Sequence, residues 1–398
     1  MKRYSRKLAE IALLLVVLCL LARPSTATTV VMLSDEEMVV NSRFILSGEV
    51  RSVTSAWDDS QSMIWTYVEV RAERFYKGEL ATKKIVLKQA GGAVGSSGIH
   101  VFGQPKFNPG QRVLLYLTTA PDGSLRVAYS FMGMYSILED SSGRKIVTRS
   151  TGPDGVQVLA HQSQASITDQ ASFDDHIQNI RRTLHDESEA IELKRLEWAD
   201  KPVWSVPAEY SRKKAEANVP GLEYVLIGGG IRWMEADSGQ AVNYSLNSTR
   251  SPIAGGASAE IQRAMSAWTS VSGIRMQLAG QSSSCGLLAD GVNTISYGDC
   301  LGQLDPATGC SGVVAQTSMR WNGEMRLIGG ITFHRLIESD VVFNDGMDCF
   351  LSTSANLAEV ACHELGHSIG LDHTSDSSAV MRPVAHGNGW NATLGADD

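Results

Sequence analysis

Between Phe44 and Leu138 apolar and polar residues fall into short strand-like runs: Phe44 to Val53, Ile64 to Ala72, Lys84 to Gln89, Arg112 to Thr118 and Leu125 to Phe131. Side chains two apart share one face of a strand, so such runs predict strands with one buried face. Turn signals separate them at Lys77-Gly78, Asn108-Pro109-Gly110 and Pro121-Asp122-Gly123. Strands without intervening helices predict a small all-β, barrel-like unit. The period then lengthens. Phe173, Ile177, Ile180 and Leu184 form one apolar stripe, which predicts a helix over 172–199 capped by Ser172. Lys201 to Pro220 carries three prolines and reads as a linker. Further on, Ile261, Met265 and Trp268 share a helical face behind Ser258 as cap, and Ile274 to Leu278 and Thr294 to Tyr297 alternate as strands.

The chemistry concentrates in His363-Glu364-Leu365-Gly366-His367-Ser368-Ile369-Gly370-Leu371-Asp372-His373, which fits H-E-x-x-H-x-x-G-x-x-H at every fixed position. Residues four apart lie one above the other on a helix, so His363 and His367 can present two imidazoles to one ion. A catalytic zinc takes three protein ligands and keeps a position for water. Gly370, free of Cβ, can end the helix in a left-handed conformation and return His373 toward the metal. Glu364 stands beside the ligands as the candidate general base. Met381 follows within Ser378-Ala379-Val380-Met381-Arg382-Pro383.

This combination resembles the metzincin zinc endopeptidases, in which a tight turn places a methionine under the metal. Its spacing and flanks are most similar to the matrixin branch, the matrix metalloproteinases and their bacterial relatives. Ile231-Arg232-Trp233, Val242 to Asn247 and Glu338 to Asn344 resemble that family's opening segment, first strand and last strand before the active-site helix. The resemblance implies a zincin domain, a twisted mixed sheet plus active-site helix, with a peptide or protein substrate laid antiparallel along an edge strand. Gly312 to Met319 and Gly330 to Arg335 are the two candidates for that edge. Val342 stands where mammalian matrixins place a histidine ligand of a structural zinc, so one zinc is expected. Asp340, Asn344, Asp345 and Asp348 could serve calcium through oxygen ligands. His334 and His386 stand alone in the sequence and read as surface residues. Leu394 to Asp398 resembles the start of the family's final helix. The β-rich part resembles an OB-like netrin module, including its Tyr76-Lys77-Gly78 step.

Charge and cysteines complete the picture. Lys2, Arg3, Arg6 and Lys7 precede an apolar run from Ile11 to Leu21 and a small-residue site at Ser25-Thr26-Ala27, the pattern of a secretory signal. That run is too short for a stable membrane anchor, which needs about 20 apolar residues. Cleavage after Ala27 would remove five basic residues and Glu10, moving the formal charge from -8 to -12. A chain so acidic is a poor nucleic-acid binder. Cys285, Cys300, Cys310, Cys349 and Cys362 would remain, an odd number, and short loops favour Cys300 with Cys310 and Cys349 with Cys362. No cysteine lies between residues 28 and 284, so a thiol from that stretch cannot silence the zinc; the β-rich part and the 172–199 helix are expected to cover the cleft instead. The expected α+β organisation is a signal peptide at 1–27, a β-rich OB-like domain at 28–150, helix and linker at 151–220 and a matrixin-like domain at 221–398. A secreted or periplasmic zinc endopeptidase is the reading that fits. Its rivals are a secreted binding or adhesion protein and an inactive metal-binding homologue.

Overall fold

A computed structural model describes residues 29–149, 157–159, 170–199, 230–372, 378–381, 386, 389–395 and 398. The expected signal peptide, the Lys201 to Pro220 linker and His373 lie outside them. In chain order the first half contains β1 (Thr29–Val31), α1 (Asp35–Asn41), β2 (Phe44–Trp57), β3 (Ile64–Lys77), β4 (Lys84–Ala90), β5 (Gly92–Val94), β6 (Ser97–Val101), β7 (Arg112–Thr119), β8 (Leu125–Val127), β9 (Met134–Glu139), β10 (Lys145–Arg149), β11 (Gln157–Leu159), β12 (Gln170–Ser172), α2 (Phe173–Asp186) and α3 (Ser188–Trp198). The second half contains β13 (Ile231–Arg232), β14 (Ala241–Asn247), α4 (Ser258–Val271), β15 (Arg275–Gln281), β16 (Thr294–Tyr297), β17 (Gly312–Ile328), β18 (Ile331–Phe343), α5 (Asp348–Leu351) and α6 (Ser354–Ser368).

The second half builds a mixed sheet in the order β17-β18-β16-β14-β15, in which only β17 runs antiparallel to its neighbour. In the first half the pairings run β7-β2-β3-β4-β8 and return from β8 to β7. Leu46, Val50, Val68, Leu87, Leu115 and Leu125 fill the space within that ring. Alternation along single strands then joins the halves. Val341 and Val314 face α4 and α6, whereas Val342 and Val313 face Ile45, Leu114 and Phe131 of the first half. Period-two side chains thus give the sheet two buried faces. At the rim of this contact Arg126 reaches across to Asp305 at 2.8 Å and donates to the carbonyls of Gly302 and Gln303.

Local details correct several expectations. The 172–199 stretch is two helices, broken at Glu187, where ψ is 27°. Ser172 stands at the N-cap position without a side-chain capping bond. Ser258 is the first residue of α4, and the N-cap position belongs to Ala257 at φ 56°. A capping box does occur at α1, where Ser34 and Glu37 exchange side-chain-to-backbone bonds.

The cysteines pair as Cys285–Cys300 and Cys310–Cys349, and Cys362 is free and buried. The expected Cys300–Cys310 and Cys349–Cys362 pairs do not form. Strands β17 and β18 run antiparallel with Ala315 opposite Phe343, so the start of one lies beside the end of the other. Cys310 and Cys349 flank those two ends and meet. Cys362 instead points into the apolar cluster beneath α6. Unreduced peptide mapping by mass spectrometry should return the two observed pairs, with Cys362 alkylated only after denaturation. A linked Cys300–Cys310 fragment would refute this pairing.

Candidate active site

Helix α6 is buried along most of its length because it lies between the mixed sheet and α4. Three donors fix its height and rotation: Trp268 Nε1 to the Cys362 carbonyl at 2.7 Å, Trp233 Nε1 to the Ser368 carbonyl at 2.9 Å, and Tyr244 to Ser368 Oγ at 2.8 Å. The helix ends at Ser368, and the turn that follows carries Gly370, whose φ is +99° and whose amide donates to the His367 carbonyl. A Cβ there would stand 2.4 Å from the Ile231 carbonyl oxygen, so glycine serves both the turn and the close approach.

His363, Glu364 and His367 are each 0 % exposed. His363 Nδ1 faces the Val380 carbonyl at 2.9 Å, and His367 Nδ1 faces the Leu371 carbonyl at 3.0 Å. A carbonyl only accepts, so each Nδ1 carries the proton and each Nε2 presents its electron pair. The two Nε2 atoms converge to 2.8 Å. Burial pushes the His363 imidazole down to about 4 and His367 well below the usual histidine range, which keeps both rings neutral near pH 7. Two neutral imidazoles aimed at one point suit a shared cation, and the residues present therefore fit zinc.

Glu364 is held from two sides. Thr317 Oγ1 lies 2.6 Å from Oε2, and Thr29 Oγ1 donates to Oε1 at 2.9 Å. Burial pushes this carboxyl up to about 7, against the pull of those donors. Phe102 stacks on His367 with centroids 4.6 Å apart. Met381 packs beneath the helix against Gly366, and Asp398 accepts from the amides of Val380 and Met381 at 2.7 and 2.9 Å.

The four oxygen-bearing residues considered for calcium use their oxygens differently. Asp340 accepts from the Leu288 and Thr294 amides, while Asn344 Oδ1 accepts from the Asp345 amide. Asp345 itself takes the Asp299 amide and Arg250. Asp348 opens α5. Among the described residues no three His, Cys, Asp or Glu side chains gather as a metal cage. His386 is no isolated surface residue, since its amide and Nδ1 engage the fully buried Glu359 and its ring stacks on Trp390. Of the two edge candidates, Gly312 to Met319 borders the helix, and Gly330 to Arg335 pairs with β13 at His334 and Arg335.

Sequence reasoning missed Thr29, Phe102, Thr317 and Asp398. Only Thr317 left a signal, as part of the polar Gln316-Thr317-Ser318 step inside a strand buried from Gly312 to Met319. Polar groups held in a buried strand need partners, and such a step points toward a site.

Gly366 generates a specific expectation. A Cβ there would meet Met381 Sδ at 2.3 Å and Trp268 Cζ2 at 2.7 Å. Met381 can flex, but Trp268 is tied to Cys362. Gly366→Ala should therefore destabilise the fold by about 1–3 kcal/mol through overpacking. Met381→Ala in the same chain should recover part of that loss, a coupling of about 0.5 kcal/mol or more in chemical denaturation. Strict additivity would sink the contact.

Comparison with known proteins agrees with this geometry. Residues 232–398 match the matrixin family of peptidases. Metalloendoproteinase 2-MMP of Arabidopsis thaliana is 27% identical over 163 residues, 40% of this chain and 39% of that protein. Matrix metalloproteinase-16 of Rattus norvegicus is 27% identical over 198 residues, 48% of this chain and 30% of that protein. Human matrilysin is 49% identical over a shorter stretch of 49 residues, 12% of this chain and 18% of that protein. The matches thus span well under half the length of these relatives. Residues 232–398 are thus similar to the matrixin family of metalloproteases.

Proposed function

We propose that the protein is a zinc-dependent endopeptidase, with His363, His367 and His373 as the metal ligands and Glu364 as general base. The observation that carries this reading is the convergence of two neutral Nε2 atoms beside a buried carboxylate that can hold a proton. Zinc, when bound, supplies Lewis acidity toward water and the scissile carbonyl. Glu364 takes the proton from the attacking water on its carboxylate and returns it to the departing amine nitrogen. Thr317 keeps the carboxylate turned toward that position, and Met381 with Asp398 fixes the floor under the imidazoles. The outer edge of Gly312 to Met319 receives the substrate backbone as an added antiparallel strand.

The same reading assigns 1–27 to a secretory signal, 28–150 to a β-rich domain, 151–220 to helix and linker and 221–398 to the catalytic domain. Two disulfides accord with an oxidising, secreted or periplasmic destination. No helix among the described residues is long and apolar enough to cross a membrane. Nothing in the geometry favours a binding protein or an inactive homologue, because the Glu364 and imidazole positions are intact.

Elemental analysis of the dialysed protein should find about one zinc per chain. A His363→Ala, His367→Ala double variant should lose it, and retention of full zinc would overturn the ligand set. Glu364→Ala should keep the zinc and lose peptide hydrolysis by roughly a hundredfold or more. Unchanged cleavage by that variant would exclude Glu364 as the base.

A further inference from the structure

The helices over 173–198 pack on α1, β10 and β12, so the expected cover of the cleft does not come from them. What α3 closes instead is a cavity of about 430 Å³ against the start of β2 and the turn after β3. Phe44, Leu80, Ile191 and Trp198 supply its apolar wall. Gly78 makes the turn at φ +65°, and a Cβ there would stand 2.6 Å from the Phe44 ring. The Lys77-Gly78 step of the sequence thus sets the shape of this wall.

Lys77 enters the wall as a buried amine, 8 % exposed. Its Nζ donates to the Val39 and Val40 carbonyls at 2.6 and 3.0 Å, in the last turn of α1, and lies 5.0 Å from the centre of the Trp198 ring. Those carbonyls carry the negative end of the helix dipole, which favours a cation beside them. An ammonium has three N–H groups, and the third finds no protein acceptor among the described residues. No carboxylate among them pairs with Lys77 either. Buried charges are ordinarily paired, and an unpaired one changes its protonation instead. Burial pushes Lys77 down to about 7, with the charge of Lys194 adding to it. The other cations of the wall are engaged, Arg195 by Glu192 and Arg43 by Thr119. Glu79 is the one acidic group among the described lining residues, against three basic ones, so the cavity carries net positive charge.

Charge and wall together select the occupant. Positive charge favours an anion, and the apolar wall favours an apolar body attached to it. The volume lies within the range of small-ligand sites, about 300–1,000 Å³. No Ser, Thr, Asn, Gln, Tyr or His lines the cavity among the described residues, so the amide groups of a peptide terminus would find no side-chain partner. An acyl chain has no such groups to satisfy.

We propose that this cavity binds a small amphipathic carboxylate, a monocarboxylic acid of medium chain length, with its carboxylate on Lys77 and its acyl chain against Phe44, Leu80, Ile191 and Trp198. The third N–H of Lys77 donates to the carboxylate, and the anion supplies the counter-charge that the fold lacks there. None of these residues belongs to the proposed catalytic group, so the site stands independently of the peptidase reading.

The test titrates octanoate into the full chain by calorimetry. Octanol and octylammonium match its length without its charge and should bind at least about tenfold more weakly, the loss expected for a hydrogen bond to a charged group. Hexanoate should also fall about tenfold below octanoate, since two methylenes leave the apolar wall. Lys77→Met keeps the stem and should abolish the preference for octanoate over octanol. Because Lys77 also caps α1, Ala81→Trp serves as a second variant that leaves the amine in place. Ala81 lines the cavity from an exposed position, and the added ring should remove octanoate binding with the unfolding temperature unchanged. Reductive methylation followed by peptide mapping should label Lys77 more slowly when octanoate is present. Octanoate binding that survives both substitutions, or octanol binding as tightly as octanoate, would overturn the site. Tighter binding of N-acetyl-leucine than of octanoate would put a chain terminus there and overturn the acyl assignment.

Discussion

Burial of the His363, Glu364 and His367 side chains sets the terms for everything around them. A polar group removed from water must find a partner inside the protein or cost roughly 1–3 kcal/mol. The Nδ1 atoms find theirs in carbonyls that lie beyond the helix, at Leu371 and Val380. The chain must therefore turn sharply after Ser368 and come back beneath the helix. Gly370 permits the turn, Gly366 leaves room for the returning Met381, and Asp398 ties down the amides of the returning loop. The spacing of the sequence motif is the trace of that geometrical demand.

A second demand comes from the sheet. An edge strand such as β17 offers unpaired backbone groups, and proteins cover or disrupt such edges. Here β1 and β6 of the first half cover it, and the alternation of Val313 with Val314 and of Val341 with Val342 makes the two halves share buried surface. Access to the edge is thereby linked to the packing of the whole molecule. Moving the cover disturbs the cluster around Val30, Ile99 and Val101, so an opening movement competes with apolar burial as well as with hydrogen bonds.

What could be read in advance was whatever rests on local periodicity. The helix under His363 and His367, the exit at Gly370 and the strand runs of the first half all follow from residues within a turn or two of one another. The capping box at Ser34 and Glu37 was equally local and went unread. Cysteine pairing was misread because loop length says nothing of which strand ends an antiparallel sheet brings together, as Cys310 and Cys349 demonstrate. Thr29 to Val31 is too short to carry a period at all. Its place beside Glu364 depends on a contact across 335 residues, which no local pattern encodes.

The stretch from Leu287 to Thr294 is held in place by two buried carboxyl groups of the sheet. Glu338 accepts from the amides of Asp290 and Gly291 and from Arg320, and Asp340 accepts from those of Leu288 and Thr294. Both acceptors belong to β18 and are covalently part of the fold. The order of this loop is therefore inherited from the sheet itself, established when β18 pairs.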